Sequence, residues 1–447
     1  MIWRHLEETK TVEWNLRLLR SNIKMEKLTD KIKLIWEKGL VHIFAGSFLT
    51  KCIAFFGSIV LVRALSKFDY GVLTYLENIY GYIWIVAGMG MSNAILRFVV
   101  LKETIEEKRN YFLYAIRVGF QFNVFLILCG YVFNTFYPHK YEYKQYAWLL
   151  YILLLSLPFQ YLTDSVLGHE RAMFANKRYV ALSVVLSLCV ISFKTIFGNI
   201  FGVKGAVFAQ TGTYIGLGII FLLSTWKQYY NGMPFISESK IENRHEVNLY
   251  SFQYMVTNGL WAVFMLNDTF LLGRYCAAEV LADYRVAYTI PGCVTLISSS
   301  IGIFIAPYFV KNENDTMWIR KNYINAFGGT ALFVGIVCLC ISVLARPIVL
   351  LLYGKQYISV IPIMRVLLIA AFCNCGLRYP TANLLAAMGQ IRYNMIVSAV
   401  GTILQILINI WAIPKYGAYG VAVTSCFVYF FMAATLLLVF YQKYYKE

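Results

Sequence analysis

From Gly39 to Val62 the chain reads GLVHIFAGSFLTKCIAFFGSIVLV, apolar or small residues interrupted only by His42, Lys51 and a few hydroxyls. As a helix rising 1.5 Å per residue, this run spans a bilayer hydrocarbon core of ~30 Å. Arg63, Lys67 and Asp69 then form a short polar exit, and Tyr70 opens a second apolar run, so the pair reads as a membrane hairpin. The alternation continues to the C-terminus. Twelve apolar segments are predicted, at about 40–62, 70–97, 111–136, 146–168, 179–200, 205–226, 249–273, 284–310, 323–345, 360–387, 393–413 and 418–441. The pattern predicts an all-α polytopic membrane protein with about twelve transmembrane helices.

Composition strengthens that reading. Hydrophobic residues make up 59% of the chain, charged residues 14%, and mean hydropathy is +0.60, against ~45–50% apolar and ~25% charged in soluble domains. The net charge of +17 would suggest a nucleic-acid partner in a soluble protein. Here its placement gives another cause. With the N-terminal tail counted, the connections after even-numbered segments hold 25 Lys and Arg, and those after odd-numbered segments hold 10. The positive-inside rule therefore puts both termini in the cytoplasm, and no nucleic acid is expected.

Several short matches recur at a nearly constant offset. LVRALSKFDYG around Arg63 answers LGRYCAAEVLADYR around Arg274 at 211. Lys177-Arg178-Tyr179 answers Ile391-Arg392-Tyr393 at 214, and GVKGAVFAQTG from Gly202 answers GAYGVAVTSCF from Gly417 at 215. One register across three regions predicts two six-helix halves, and an even helix count gives both the same orientation in the membrane. The expected organisation is an N-terminal cytoplasmic or interfacial segment at 1–38, a six-helix bundle at 39–226, a cytoplasmic linker at 227–248 and a second bundle with a short tail at 249–447. Within 1–38, Val12, Leu16, Leu19 and Ile23 recur at helical spacing, as in a basic amphipathic helix on a membrane surface. That segment lacks the apolar region of a signal peptide, and the natural start is either Met1 or Met25.

The segments GSFLTK and VRALSKFDYGVLTY, then WIVAGMGMSNAILRFV from Trp84, then the return of this unit after the linker, resemble the Wzx-type polysaccharide flippases of the multidrug/oligosaccharidyl-lipid/polysaccharide (MOP) superfamily. The resemblance covers the chain from about Lys38 onward. It implies a MATE-like pair of bundles around a central cationic cavity that opens to each side in turn. It also implies a substrate, an undecaprenyl-diphosphate-linked oligosaccharide carried from the cytoplasmic to the outer leaflet for O-antigen, capsule or exopolysaccharide assembly. The bacterial cytoplasmic membrane is then the location, and the polymerase and chain-length or export proteins of the pathway are the expected partners.

Charges inside the predicted segments are the candidates for chemistry, because a charge at the bilayer centre costs roughly 2.5–3.5 kcal/mol on insertion scales. The bases are Lys51, Arg117, Lys194, Arg365 and Arg378; the acids are Glu77, Asp164 and Asp268. An excess of bases around a wet cavity suits a diphosphate, which Arg binds through two oxygens and Lys as a point charge. Lys51 and Arg378 lie deepest and are the main candidates. Arg117 is either a site residue or snorkels to the cytoplasmic end of its helix, and Arg365 and Lys194 are expected to snorkel toward the outer ends. Asp164 and Arg378 fall at repeat-equivalent positions, either as a salt bridge that holds one state or as separate ligands. Asp268 either couples transport to H⁺ or Na⁺ or, more simply, pairs with Arg274 or Lys51. Arg63 and Arg274 mark equivalent helix ends.

Other chemistry is not indicated. None of the ten cysteines forms a CxxC or alternates with His at zinc spacing. No GxxxxGK[ST] phosphate loop is present, so the chain is not expected to hydrolyse ATP or to carry a cofactor. YEYKQYAW at 141–148 reads as an aromatic segment anchored at the interface. A drug/cation antiporter of the same superfamily would call for an acid-rich cavity. A membrane-embedded polymerase or glycosyltransferase would call for a larger outer loop than the dozen or so residues available.

Overall fold

The computed structural model describes residues 40–234, 241, 243–312 and 315–446; the amphipathic segment expected within 1–38 lies outside them. Among the described residues every regular element is helical, and the major helices are α1 (Leu40–Ala64), α2 (Lys67–Ile85), α3 (Met91–Val100), α4 (Ile105–Phe136), α5 (Trp148–Leu155), α6 (Leu157–Ala172), α7 (Asn176–Tyr229), α8 (Arg244–Tyr275), α9 (Ala278–Lys311), α10 (Thr316–Val343), α11 (Ala345–Leu352), α12 (Ile361–Ala371), α13 (Tyr379–Ala387) and α14 (Ile391–Tyr441). Helices satisfy their own backbone groups, which is the condition for crossing hydrocarbon. Large apolar side chains such as Phe48, Leu128, Ile220, Leu339 and Leu407 stand more than half exposed, as lipid-facing residues do. The protein is an all-α, multi-pass membrane protein.

Eight described stretches are long and apolar enough to cross a membrane, and the bent α2–α3 pair makes a ninth. Two of the eight each contain two predicted segments. The α7 helix breaks at Gly202 (φ 62°, ψ −149°) and α14 at Gly417 (φ 55°, ψ −136°). These angles are open essentially to glycine alone. The two breaks sit 215 residues apart, at the register read from the sequence. With α1, all twelve predicted segments are accounted for.

Three segments depart from a continuous α-helix. The 70–97 segment breaks at residues 86–90, where Gly88, Met89 and Gly90 all take positive φ. The freed Gly88 N–H donates to Asn123 Oδ1 at 2.8 Å. The 146–168 segment breaks at Ser156, just before Pro158, and Phe372–Arg378 becomes a π-helix just before Pro380. In both cases proline removes a donor and crowds the preceding turn, forcing the ladder to shift. Pro291, by contrast, leaves α9 continuous.

The halves of the sequence before and after the 230–243 connection meet chiefly through α2, whose length packs against α8 and α9. Cross-half contacts gather near the connections at 65–66, 137–147, 276–277 and 353–360, here termed the sealed end. At the opposite end, which carries the 230–243 connection and is termed the linker end, the halves also touch, through Gly90 and Met91 against Ser251 and Tyr114 against Asn248. One hydrophobic cluster runs through the sealed end and joins Tyr70, Leu73 and Leu76 to Leu272, Ala278, Leu281 and Tyr357. At Gly71 the backbones touch: a Cβ there would lie 1.9 Å from the Ala278 carbonyl oxygen. Substitution Gly71→Val should therefore prop the sealed end apart. In a chain with the other nine cysteines replaced, a water-soluble maleimide should label the half-buried Cys276 several-fold faster in this variant than in the parent. Equal rates would show that the α2–α9 contact does not close that end.

Candidate functional site

The sealed end is held by polar contacts that reach from each half into the other. Arg63, at the end of α1, donates through Nε to the Leu352 carbonyl at 2.7 Å and through a second nitrogen to that of Leu351. Arg274, at the end of α8, donates to the Pro138 carbonyl at 2.8 Å. Pro138 and Leu352 are 214 residues apart, so the two arginines clasp equivalent positions reciprocally. Lys67 pairs with Asp283 at 2.8 Å and lies over the Tyr357 ring. Glu142 accepts the Ala278 N–H at 3.2 Å and so caps the start of α9. The repeat marked Arg63 and Arg274 in the sequence; their cross-half partners are backbone carbonyls, which carry no sequence signal.

An aromatic plug fills the same end. Tyr143 is fully buried and stacks on Tyr75 with ring centroids 4.0 Å apart. This corrects the reading of 141–148 as an interface anchor: Tyr141 and Trp148 are exposed, whereas Tyr143 points inward. One helical turn at Tyr141–Lys144 divides the tyrosines between the two environments. Tyr75 hydroxyl meets His139 Nδ1 at 2.9 Å, and His139 Nε2 meets Asn134 Oδ1 at 2.9 Å. Asn134 spends its own amide N–H on the Ala147 carbonyl. Its oxygen can only accept, so Nε2 carries the proton and Nδ1 accepts from the tyrosine. Burial pushes the His139 pKa below its ordinary value, with the Asn134 backbone contact opposing in part.

The intramembrane charges fall into distinct environments. Lys194 of α7 is buried and ion-paired with Glu77 of α2. The expected outward snorkelling of Lys194 is corrected, because α7 packs on α2 and brings the carboxylate within reach. Arg365 is exposed and donates to the Ser342 carbonyl at 3.2 Å. Arg117 is exposed on α4 and Lys51 on α1. Gly46 and Gly57 turn the packed face of α1 toward Val180 and Ile191 of α7. At 100° per residue, Lys51 is rotated roughly 140° from Gly46 and away from that contact. Glu170, which the sequence placed in a polar connection, is fully buried and held by Arg178, Thr225 and Tyr229.

A polar pocket lies in the C-terminal half, with room for a few waters, lined in part by Asp268, Tyr284, Arg285, Tyr288, Asn374 and Tyr429. Asp268 of α8 is buried and has no basic partner among the described residues. Its carboxylate accepts from Tyr284 at 3.0 Å, Gln405 at 2.8 Å, Asn409 at 2.7 Å and Ser425 at 3.3 Å. The expected pairing with Arg274 or Lys51 is therefore corrected. Arg274 lies six residues on, on another face of α8, and is engaged at Pro138. The amide oxygens of Gln405 and Asn409 are buried without a partner. Among the described residues, no three His, Cys, Asp or Glu side chains gather as metal ligands.

Arg378 sits at the end of the π-helix, 93% buried. It donates to Asn374 Oδ1 at 3.1 Å and to Ser398 Oγ at 3.2 Å, its guanidinium lies 5.3 Å from the Trp261 ring centroid, and its Nε has no partner. No ion pair joins it to Asp164, which is half-buried; among the described residues neither belongs to a salt bridge. Arg285 was missed as a cavity residue because two turns of helix place it near a chain connection in the sequence. It lines the pocket and lies near Tyr70 across the seam.

A family model described as polysaccharide biosynthesis protein matches residues 35–313. The chain belongs to this family. An uncharacterized membrane protein of Methanocaldococcus jannaschii, MJ1068, is 22% identical over 431 residues, covering 88% of this chain and 82% of that one. The fold resembles the lipid II flippase MurJ in an inward closed conformation (TM-score 0.69, 16% identity, 89% of this chain and 87% of that one). It also resembles an inward-facing multidrug resistance MATE family transporter of the MOP superfamily (TM-score 0.68, 14% identity, 88% and 94%). The architecture is thus that of MOP-superfamily transporters and flippases.

His139 makes the seal sensitive to acid. Its pKa is lower when buried than when released to water, so it favours the sealed form fully above its free value of ~6.5. That contribution is lost as pH falls through the depressed value. Spin labels at the exposed positions 141 and 279 should give one short distance at pH 7.5 and a growing longer population by pH 5. His139→Gln should flatten the response; an unchanged pH response in that variant would rule the imidazole out.

Proposed function

We propose that this protein carries undecaprenyl-diphosphate-linked oligosaccharide units from the cytoplasmic to the outer leaflet of the bacterial cytoplasmic membrane by alternating access. The family and the MurJ-like fold support a lipid-linked substrate. The observation that carries the finer reading is Arg378, a buried guanidinium with an unused donor and no carboxylate. An uncompensated buried charge is expensive, and an anionic substrate that completes it offsets that cost. Lys51 and Arg285, both exposed and outside any ion pair among the described residues, supply further positive charge for the second phosphate. By the distribution of Lys and Arg, the linker end faces the cytoplasm and the sealed end faces outward. Polymerase and chain-length proteins then take the product.

Asp268 is the proposed coupling site. In the N-terminal half the acid Glu77 already holds a covalently tethered cation, the Lys194 ammonium. In the C-terminal half Asp268 is ringed by neutral donors, and two amide oxygens there have no partner. Rotation of the Gln405 and Asn409 amides would turn those oxygens toward the carboxylate, a donor set suited to Na⁺; a proton on Asp268 is the alternative.

Reconstituted protein and fluorescent lipid-linked oligosaccharide test both points. Arg378→Gln should lower translocation at least tenfold, with Arg378→Lys recovering part of it. Asp268→Asn should abolish the response to an imposed Na⁺ or H⁺ gradient. Full translocation by Arg378→Gln would refute the anion site, and gradient-driven flux through Asp268→Asn would refute the coupling site. Export of cationic dyes in place of the lipid would favour an antiporter, and formation of polymer by the purified chain would favour a polymerase.

A further inference from the structure

The functional reading leaves the sugar without a contact. On α8, Trp261, Phe264 and Asp268 recur at i, i+3 and i+7 and share one face. Residues on the other side of the helix meet α2: Gly259 lies against Ile85, and the Leu266 carbonyl accepts from Asn78 at 3.0 Å. Trp261 is therefore turned away from α2 and toward the C-terminal half. Phe264 packs against Tyr429 and lines the Asp268 pocket, and Trp261 stacks on Phe264 with centroids 5.4 Å apart. Trp261 thus lies behind the Phe264 wall of that pocket, about 10 Å along the helix from Asp268.

The indole differs from its neighbours in one respect. Phe264 is 3% exposed and Arg378 7%, while Trp261 is 43% exposed despite lying at the middle of a transmembrane helix. An indole has two faces. The Arg378 guanidinium lies over the ring, at a distance within cation–π range. Asn374 and Ser398 fix the guanidinium from its edge, and the unpartnered Nε lies on the remaining edge. Phe264 stacks against the ring as well, yet 43% of Trp261 stays exposed, so part of a rigid aromatic surface lies open beside the guanidinium.

We infer that Trp261 is the platform for the sugar joined directly to the diphosphate. The C–H-rich face of a pyranose stacks on the indole while Arg378 holds the adjacent phosphate. This inference rests on the proposed function and adds the sugar-binding position to it. The cation over the ring fixes the indole before the substrate arrives, so little side-chain freedom is lost on binding. The arrangement selects for a carrier lipid bearing a sugar over the same lipid without one.

Full-length protein in nanodiscs tests this with two probes, undecaprenyl diphosphate and undecaprenyl diphosphate bearing one hexosamine. Trp261→Leu should weaken binding of the sugar-bearing probe about tenfold more than binding of the bare one. Trp261→Phe, which keeps a stacking surface and guards against misfolding, should restore most of that preference. An equal effect of Trp261→Leu on both probes would overturn the platform and leave only support of Arg378. No effect on either would place the ring against lipid and overturn it as well. Arg378→Gln separates the two proposals, because it should weaken both probes together. Tight binding of both by that variant would overturn the functional reading itself, whatever the Trp261 ratio.

Discussion

A charge inside a hydrocarbon layer must meet an opposite charge, a dipole or water, and this protein uses a different answer at each site. Lys194 and Glu77 cancel each other within one half. Asp268 is solvated by four neutral donors, and Arg378 by two neutral acceptors and an aromatic ring. The first arrangement is complete. The other two leave unused capacity, in the buried amide oxygens around Asp268 and at the Nε of Arg378. Places where polar satisfaction is incomplete in an otherwise well-packed interior are where a ligand can add free energy.

The two halves share a helix plan but divide the chemistry. Their glycine breaks coincide at Gly202 and Gly417, and their terminal arginines reach equivalent carbonyls. The interiors do not match. The Asp164 position of the first half is taken by Arg378 in the second, and the Lys194–Glu77 pair has no charged counterpart there. The shared plan supplies a hinge-like symmetry, and the unshared side chains concentrate the proposed binding chemistry on one side.

Helices were legible in the sequence because lipid imposes a simple rule, apolar runs of sufficient length. Equivalent glycines were legible because a break in the same place needs the same residue. The break at Gly88–Gly90 was not foreseen: glycine is frequent in transmembrane helices, and the partner that stabilises the break, Asn123, comes from another helix. The intramembrane charges were visible in the sequence, and their partners were not. Pairing depends on which faces meet, and a rotation of 100° per residue hides that from a linear reading. Lys194 shows one such error and Asp268 the other. Trp261 carried no signal at all, being one of nine tryptophans in an aromatic-rich chain.

The reciprocal arginine clasps bear on how the seal meets its surroundings. Carboxylates take up protons in acid, and exposed ion pairs weaken as dissolved salt rises. A peptide carbonyl has no titration in the physiological range and offers a fixed dipole. A latch made from guanidinium and main-chain oxygen, as at Leu351, Leu352 and Pro138, therefore keeps much the same strength in fresh water and in brine. The Lys67–Asp283 pair, the Glu142 carboxylate and the His139 cluster are left to report on the medium. The clasp and the groups that respond to the medium are thus separate side chains, and one can change without the other.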